Sequence, residues 1–376
     1  MSTASVRLPD ALIAVLRGDA VPWTDVGLSI DAALEACVQH EATGLLHTRL
    51  SRAPMRDDWP AALRARVAER ARADAAAEIA RRAELVSTLD ALAAGGVAPI
   101  LIKGTPLAYS LYPSPTARPR GDTDLLIPRA QVDTARDVLI ARGYAPTVYC
   151  DGELVFRQFE LQKVDRFGIM HALDVHWSIS TQAVFADVLT YDELLADARR
   201  VPTLGAHARE AGRVHALLLA CIHPAMHHQN DERLLWSLDI HLLASSLSDA
   251  DWTALARLAV DRRVAAIVAR GLDGAQRTWR THVSEAVRST LDAVQPEASA
   301  RYLAAGRSWR HELVENLTHL PTWRSRVRLL REIAFPSPTY MTRSYGVDGA
   351  FAAALLPALY MHRLASGAGK LLRGRK

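Results

Sequence analysis

Asp122 and Asp124 stand one residue apart in Arg120-Gly121-Asp122-Thr123-Asp124-Leu125-Leu126-Ile127, and Asp174 falls inside Leu173-Asp174-Val175-His176-Trp177. Side chains alternate faces along a strand, so the first two acids point to one side, and an acid on a neighbouring strand can meet them across the sheet. Carboxylates leading into a Leu-Leu-Ile run need a cation or donors to offset the cost of burying their charge. Two Mg2+ ions about 3.5–4 Å apart, bridged by shared carboxylates, could activate an attacking hydroxyl and neutralise charge building on a phosphate. The simplest chemistry is phosphoryl or nucleotidyl transfer. Asp122 and Asp124 would hold both ions, and Asp174 would complete the site and could accept the hydroxyl's proton.

Other side chains near these segments suit the same chemistry. Arg118 and Arg120 offer guanidinium groups that match phosphate oxygens in bidentate fashion and could clamp a triphosphate. His176 shares a strand face with Asp174 and could orient it or a substrate phosphate. His227, Arg233 and Asp239, in a later helical stretch, are candidate contacts to the acceptor. Spacing alone does not define the site, because Asp249-Ala250-Asp251 repeats the pattern. That pair follows Ser248 and precedes a helical run, so it reads as a helix start where acids favour the dipole. His223 and His227 could share a helix face, but the glutamate of the zinc-protease pattern is missing and Pro224 makes His223 read as a helix start.

The elements that must position these groups follow from periodicity. Residues 8–95 are Ala-, Leu- and Arg-rich with apolar residues at helical spacing, and the long segment 59–94 stops at Gly95-Gly96. Residues 97–102 read as a buried strand and 105–112 as a short helix. Pro113, Pro115 and Pro119 stiffen the loop that presents the two arginines. Residues 122–127 form the acidic strand, and Pro128 opens a helix over 129–142 that ends at Gly143. Residues 153–164 and 169–179 read as an antiparallel pair turning at Asp165-Arg166-Phe167-Gly168. From Tyr191 the chain is helical again, over 211–247, 251–272 and 283–305, until Pro336-Ser337-Pro338 breaks the pattern. The expected division is a helical region at 1–95, a core at 96–190, a helical domain at 191–335 and a final segment at 336–376 with a basic tail.

The order Lys103-Gly104, then an arginine-led Asp122-x-Asp124, then Asp174-x-His176-Trp177 resembles the bacterial uncharacterised nucleotidyltransferase group within the DNA polymerase beta-like superfamily. Residues 33–46 resemble its amino-terminal helices, and Trp236-Ser237-Leu238-Asp239-Ile240-His241 resembles a segment of its helical second half, so the likeness spans roughly 25–365. The resemblance implies an α+β fold in which a mixed-sheet nucleotidyltransferase core is flanked by N-terminal and C-terminal helical regions. It implies Asp122, Asp124 and Asp174 as metal ligands and places Lys103, Gly104 and Thr105 at the loop that holds the nucleotide phosphates. The superfamily's usual Gly-Ser pair reads Lys-Gly here. Lys103 is one of only four lysines among 45 basic residues, so the chain uses a compact ammonium where it otherwise prefers arginine. A point charge on a flexible stem suits a polyphosphate.

The expected activity is Mg2+-dependent transfer of a nucleoside monophosphate from a nucleoside triphosphate, ATP being the expected donor, to the hydroxyl or phosphate of a small-molecule or peptide acceptor. The alternatives are phosphotransfer with the same carboxylates, or a non-catalytic nucleotide-binding scaffold. Composition is ordinary for a folded globular protein: the 376 residues are 49% hydrophobic and 23% charged. A net charge of +4 with no long basic stripe outside the tail gives no reason to expect a stable nucleic-acid partner. Cys37, Cys150 and Cys221 lack metal-type spacing and suggest a reducing cytoplasm. The first residues lack the basic flank and long apolar run of a secretion signal. The apolar run 350–361 is broken by Pro357 and is too short to span a bilayer.

Overall fold

The computed structural model describes residues 8–52, 55–147, 152–293, 296–304, 306–347 and 352–373. The fold is α+β. Among the described residues, seven strands form one mixed sheet: β1 (Ile100–Ile102), β2 (Thr123–Leu126), β3 (Ala145–Pro146), β4 (Gln158–Val164), β5 (Met170–His176), β6 (Arg199–Arg200) and β7 (Arg209–Glu210). Their spatial order is β3-β4-β5-β2-β1-β7-β6. The acidic strand β2 is central, antiparallel to β1 and parallel to β5. The two faces of the sheet differ in character. Leu101, Leu125, Leu161, Leu173 and Val175 pack beneath the long helix Ala61–Ala94, through Leu85, Leu89 and Leu92, and beneath the helix Val132–Ala141, through Ala135 and Leu139. The alternate residues, Asp124, Asp174 and His176 among them, therefore project from the other face.

That second face is bordered by a larger apolar core. It joins Ile100, Ile102 and Leu126 to early helices, through Leu12, Leu46 and Leu63, and to late helices, through Leu218, Leu243 and Val268. Helical stretches from both ends of the sequence thus bury their apolar faces together beside the site.

Several elements depart from the sequence reading. The stretch 211–247 is two helices, Arg213–His227 and Leu234–Ser245, and Pro224 lies inside the first of them and does not start it. A proline one turn from a helix end removes a single hydrogen bond, and burial of Leu218, Ile222, Ala225 and Met226 on either side of it holds the helix together. The stretch 251–272 divides at Arg263, whose φ of 56° stops one helix before the next begins at Ala265. Among the described residues of 283–305, a helix covers Glu285–Asp292 and a 3-10 segment covers Ala298–Leu303. Three strands of two residues each, β3, β6 and β7, carry no pattern that periodicity could detect. Asp249 and Asp251 do start a helix, with Ser248 and Asp251 capping each other. Cys37 and Cys221 are buried free thiols; Cys150 lies outside the described residues. Among the described residues, no helix is long and apolar enough to cross a membrane.

Candidate active site

The strand register brings the acids together. Asp124 on β2 is paired with Asp174 on β5 and with Ile102 on β1, and Leu126 is paired with His176. One ligand atom from each of Asp124, Asp174 and His176 lies within 4.8 Å of the other two. Asp122 precedes the strand and is exposed at the mouth of the site, outside that three-residue group. Thr105 is buried beneath it and donates from its hydroxyl to the Asp122 carbonyl at 3.3 Å.

Asp124 is the most heavily engaged of the acids. Its Oδ1 accepts a hydrogen bond from Lys103 Nζ at 2.6 Å and lies 2.9 Å from His176 Nε2. Burial would raise the Asp124 carboxyl, but the Lys103 ammonium and the His176 hydrogen bond hold it well below the usual carboxylate range. Burial lowers His176 and the Lys103 charge lowers it further, leaving a neutral imidazole. Asp174 behaves oppositely. Burial, then the charges of Asp124, Asp122 and Glu160, push its carboxyl up to about 8. A single ammonium does not balance the crowded carboxylates, so the site is short of positive charge. Oxygen ligands in that state suit a hard divalent cation such as Mg2+, and a neutral imidazole beside them does not oppose it.

The arginines of the proline-rich loop face inward. Arg118 Nε donates to Asp239 Oδ1 at 2.9 Å, Nη2 to Asp239 Oδ2 at 2.8 Å and Nη1 to the Pro119 carbonyl at 2.8 Å. Tyr112 adds its hydroxyl to Asp239 at 2.7 Å. Arg120 grips Glu78 of the long helix through Nη1 at 3.0 Å and Nη2 at 2.8 Å, and Tyr109 donates to the same carboxylate. Both guanidinium groups are thus committed to carboxylates from the flanking helices and tie the acidic loop down on two sides. Glu78, Tyr109 and Tyr112 carried no sequence signal, because their partners lie far away along the chain. Gly104 follows from the same packing: a Cβ there would sit 2.9 Å from Arg118 Nη2 and 3.1 Å from its Cζ.

The remaining candidates divide between two clefts. A pocket beside Lys103 and Gly104 is walled by Leu107, Leu219, His223 and Trp236, with Arg118 and Asp239 at its side. A larger groove runs past Arg17, Arg233, Arg270 and Arg277, and Trp236 borders both. Arg233 is exposed in that groove, stacked 4.6 Å over the Trp236 ring. His227 is held neutral, lowered to about 3 by burial and then by the Lys103 charge, and its Nε2 has no hydrogen-bond partner among the described residues. His223, absent from the sequence-based candidates as a site residue, is the histidine that lines the pocket.

A mixed sheet with paired acids on one face, flanked by helices before and after it, is consistent with a nucleotidyltransferase core. The chain belongs to the uncharacterised nucleotidyltransferase family, whose sequence model matches residues 27–303. No curated protein matches the chain.

Proposed function

We propose that the protein is a metal-dependent nucleotidyltransferase that moves a nucleoside monophosphate from a nucleoside triphosphate, ATP in the first instance, to the hydroxyl or phosphate of a small-molecule or peptide acceptor. The observation that carries this reading is the register that sets Asp124 directly opposite Asp174 on adjacent parallel strands, with His176 in the same group. In this reading Asp122, Asp124 and Asp174 would hold two divalent ions, Mg2+. When bound, such ions supply charge neutralisation at the phosphates. Asp174 would accept the proton of the attacking hydroxyl, while His176 orients Asp124. A new bond would form between the acceptor oxygen and the α-phosphorus as the bond to the bridging oxygen breaks and pyrophosphate leaves. Catalysis would rest chiefly on positioning and electrostatics.

Lys103, Gly104 and Thr105 would border the triphosphate. Arg118 and Arg120 would act by fixing the acidic loop, since their donors are engaged with Asp239 and Glu78. His227 and Arg233 would lie on the acceptor side. The core at 96–190 would carry the chemistry between helical regions at 1–95 and 191–335, with 336–376 as the closing segment. The buried, unpaired thiols of Cys37 and Cys221 suit a reducing compartment, the cytoplasm. The test is mass spectrometry of candidate acceptors incubated with the four nucleoside triphosphates and Mg2+, with Asp124→Asn as control. Added nucleoside monophosphate mass with pyrophosphate release supports the reading, and release of a nucleoside diphosphate with a phosphorylated acceptor would show phosphotransfer in its place.

A further inference from the structure

We propose that Lys103 is a built-in cation of the acidic site, its ammonium standing permanently against Asp124, so that the site takes one divalent ion per chain and not the two that paired aspartates suggest. This rests on the metal-dependent reading above and changes its ion count.

Three observations converge on it. The first is the contact itself. Lys103 Nζ lies 2.6 Å from Asp124 Oδ1 with side-chain exposures of only 17% and 8%, and the same oxygen is taken by His176 Nε2 at 2.9 Å. A carboxylate shared by two metal ions must offer an oxygen to each, and one oxygen of Asp124 already has two partners. The second is charge. Asp122, Asp124 and Asp174 bring three negative charges when ionised and Lys103 returns one, so a single divalent ion balances what remains. The third is the backbone. Lys103 holds φ 61° and ψ −138° at the turn from β1 into the helix Gly104–Ser110, a region that glycine occupies freely and that strains any other residue. Glycine would satisfy the turn without strain. A side chain kept there against that cost, in a chain with four lysines among 45 basic residues, points to the ammonium as the group required.

The strain also supplies the means of testing it. Lys103→Gly removes the ammonium and relieves the backbone, which offsets part of the cost of leaving Asp124 without its cation, and Lys103→Met removes the charge while keeping the stem. Mn2+ would be titrated into full-length protein, alone and with one equivalent of α,β-methylene-ATP, with bound ion counted by electron paramagnetic resonance. The parent should bind one Mn2+ per chain in both conditions. Both variants should bind two in the presence of the analogue, with the coupled spectrum of ions about 4 Å apart. Two ions in the parent, or one in both variants, would overturn the proposal while leaving a metal-dependent enzyme. An Mn2+ count of zero in the parent, or one unchanged by Asp124→Asn, would overturn the metal-dependent reading and this inference with it.

Discussion

Arg118 and Asp239, 121 residues apart in the chain, form a buried two-point ion pair that joins the acidic loop to the helix Leu234–Ser245. Removing one partner of such a pair strands a charge in a dry environment, whereas removing both does not. Asp239→Ala should therefore destabilise the protein by about 3–5 kcal/mol in urea unfolding. The double variant Arg118→Leu/Asp239→Leu should lose distinctly less than the sum of the two single changes. Additive losses would show that the two side chains do not depend on each other.

Glu78 makes a related prediction for binding. It holds Arg120 from the opposite side of the loop, and Arg120 lies two residues before Asp122. Partners that orient a metal-binding segment typically change affinity by about 10–100-fold when removed. Glu78→Gln should weaken Mn2+ binding by about tenfold, measured by calorimetry, although no proposed ligand is touched. Parent-like affinity would mean that the loop holds its shape without this tether.

The contrast between these tethers and the acids marks what the sequence could disclose. Asp124 and Asp174 were legible because each sits in a strand among apolar residues, Leu-Asp-Val-His-Trp for Asp174 and Asp-Leu-Leu-Ile for Asp124, whereas Asp122, expected on the same strand, precedes it. The partners of Arg118 and Arg120 were hidden because nothing local links residue 118 to 239 or 120 to 78. Lys103 was legible as an unusual residue but not as the partner of Asp124, since that contact depends on how β1 and β2 pair. Pro224 was misread because breaker rules weigh one residue's backbone and cannot weigh the burial of its neighbours.

Two glycines should respond unequally to alanine. At Gly44 a Cβ would lie 2.0 Å from the Thr116 carbonyl oxygen, a backbone atom of the 3-10 segment Pro115–Ala117 that cannot swing aside. At Gly104 the obstacle is the Arg118 guanidinium at 2.9 Å, a side-chain end that can shift if it gives up part of its grip on Asp239. Gly44→Ala should cost about 3 kcal/mol and Gly104→Ala about 1–2 kcal/mol, read from thermal or urea unfolding. The reverse order would mean that the arginine is held more rigidly than the loop backbone.

Asp174 predicts a pH dependence whose sign can be worked out. Its carboxyl is raised to about 8 by burial and by the charges of Asp124, Asp122 and Glu160, against about 4 for an aspartate in an unfolded chain. Between those values the folded, metal-free protein holds a proton that the unfolded chain has released, so stability is fully present below about pH 4 and declines as pH rises toward about 8. Asp174→Asn cannot lose that proton. Without metal, the variant should match the parent near pH 4 and exceed it near pH 8 by about 2 kcal/mol, a figure discounted for the carboxyl's partial exposure. Added Mn2+ should stabilise the parent at pH 8 and leave the variant little changed, because the cation offsets the repulsion that asparagine has already removed. Urea unfolding at the two pH values, with and without Mn2+, decides the matter: a parent as stable as Asp174→Asn at pH 8 without metal would show that the carboxylates do not repel one another.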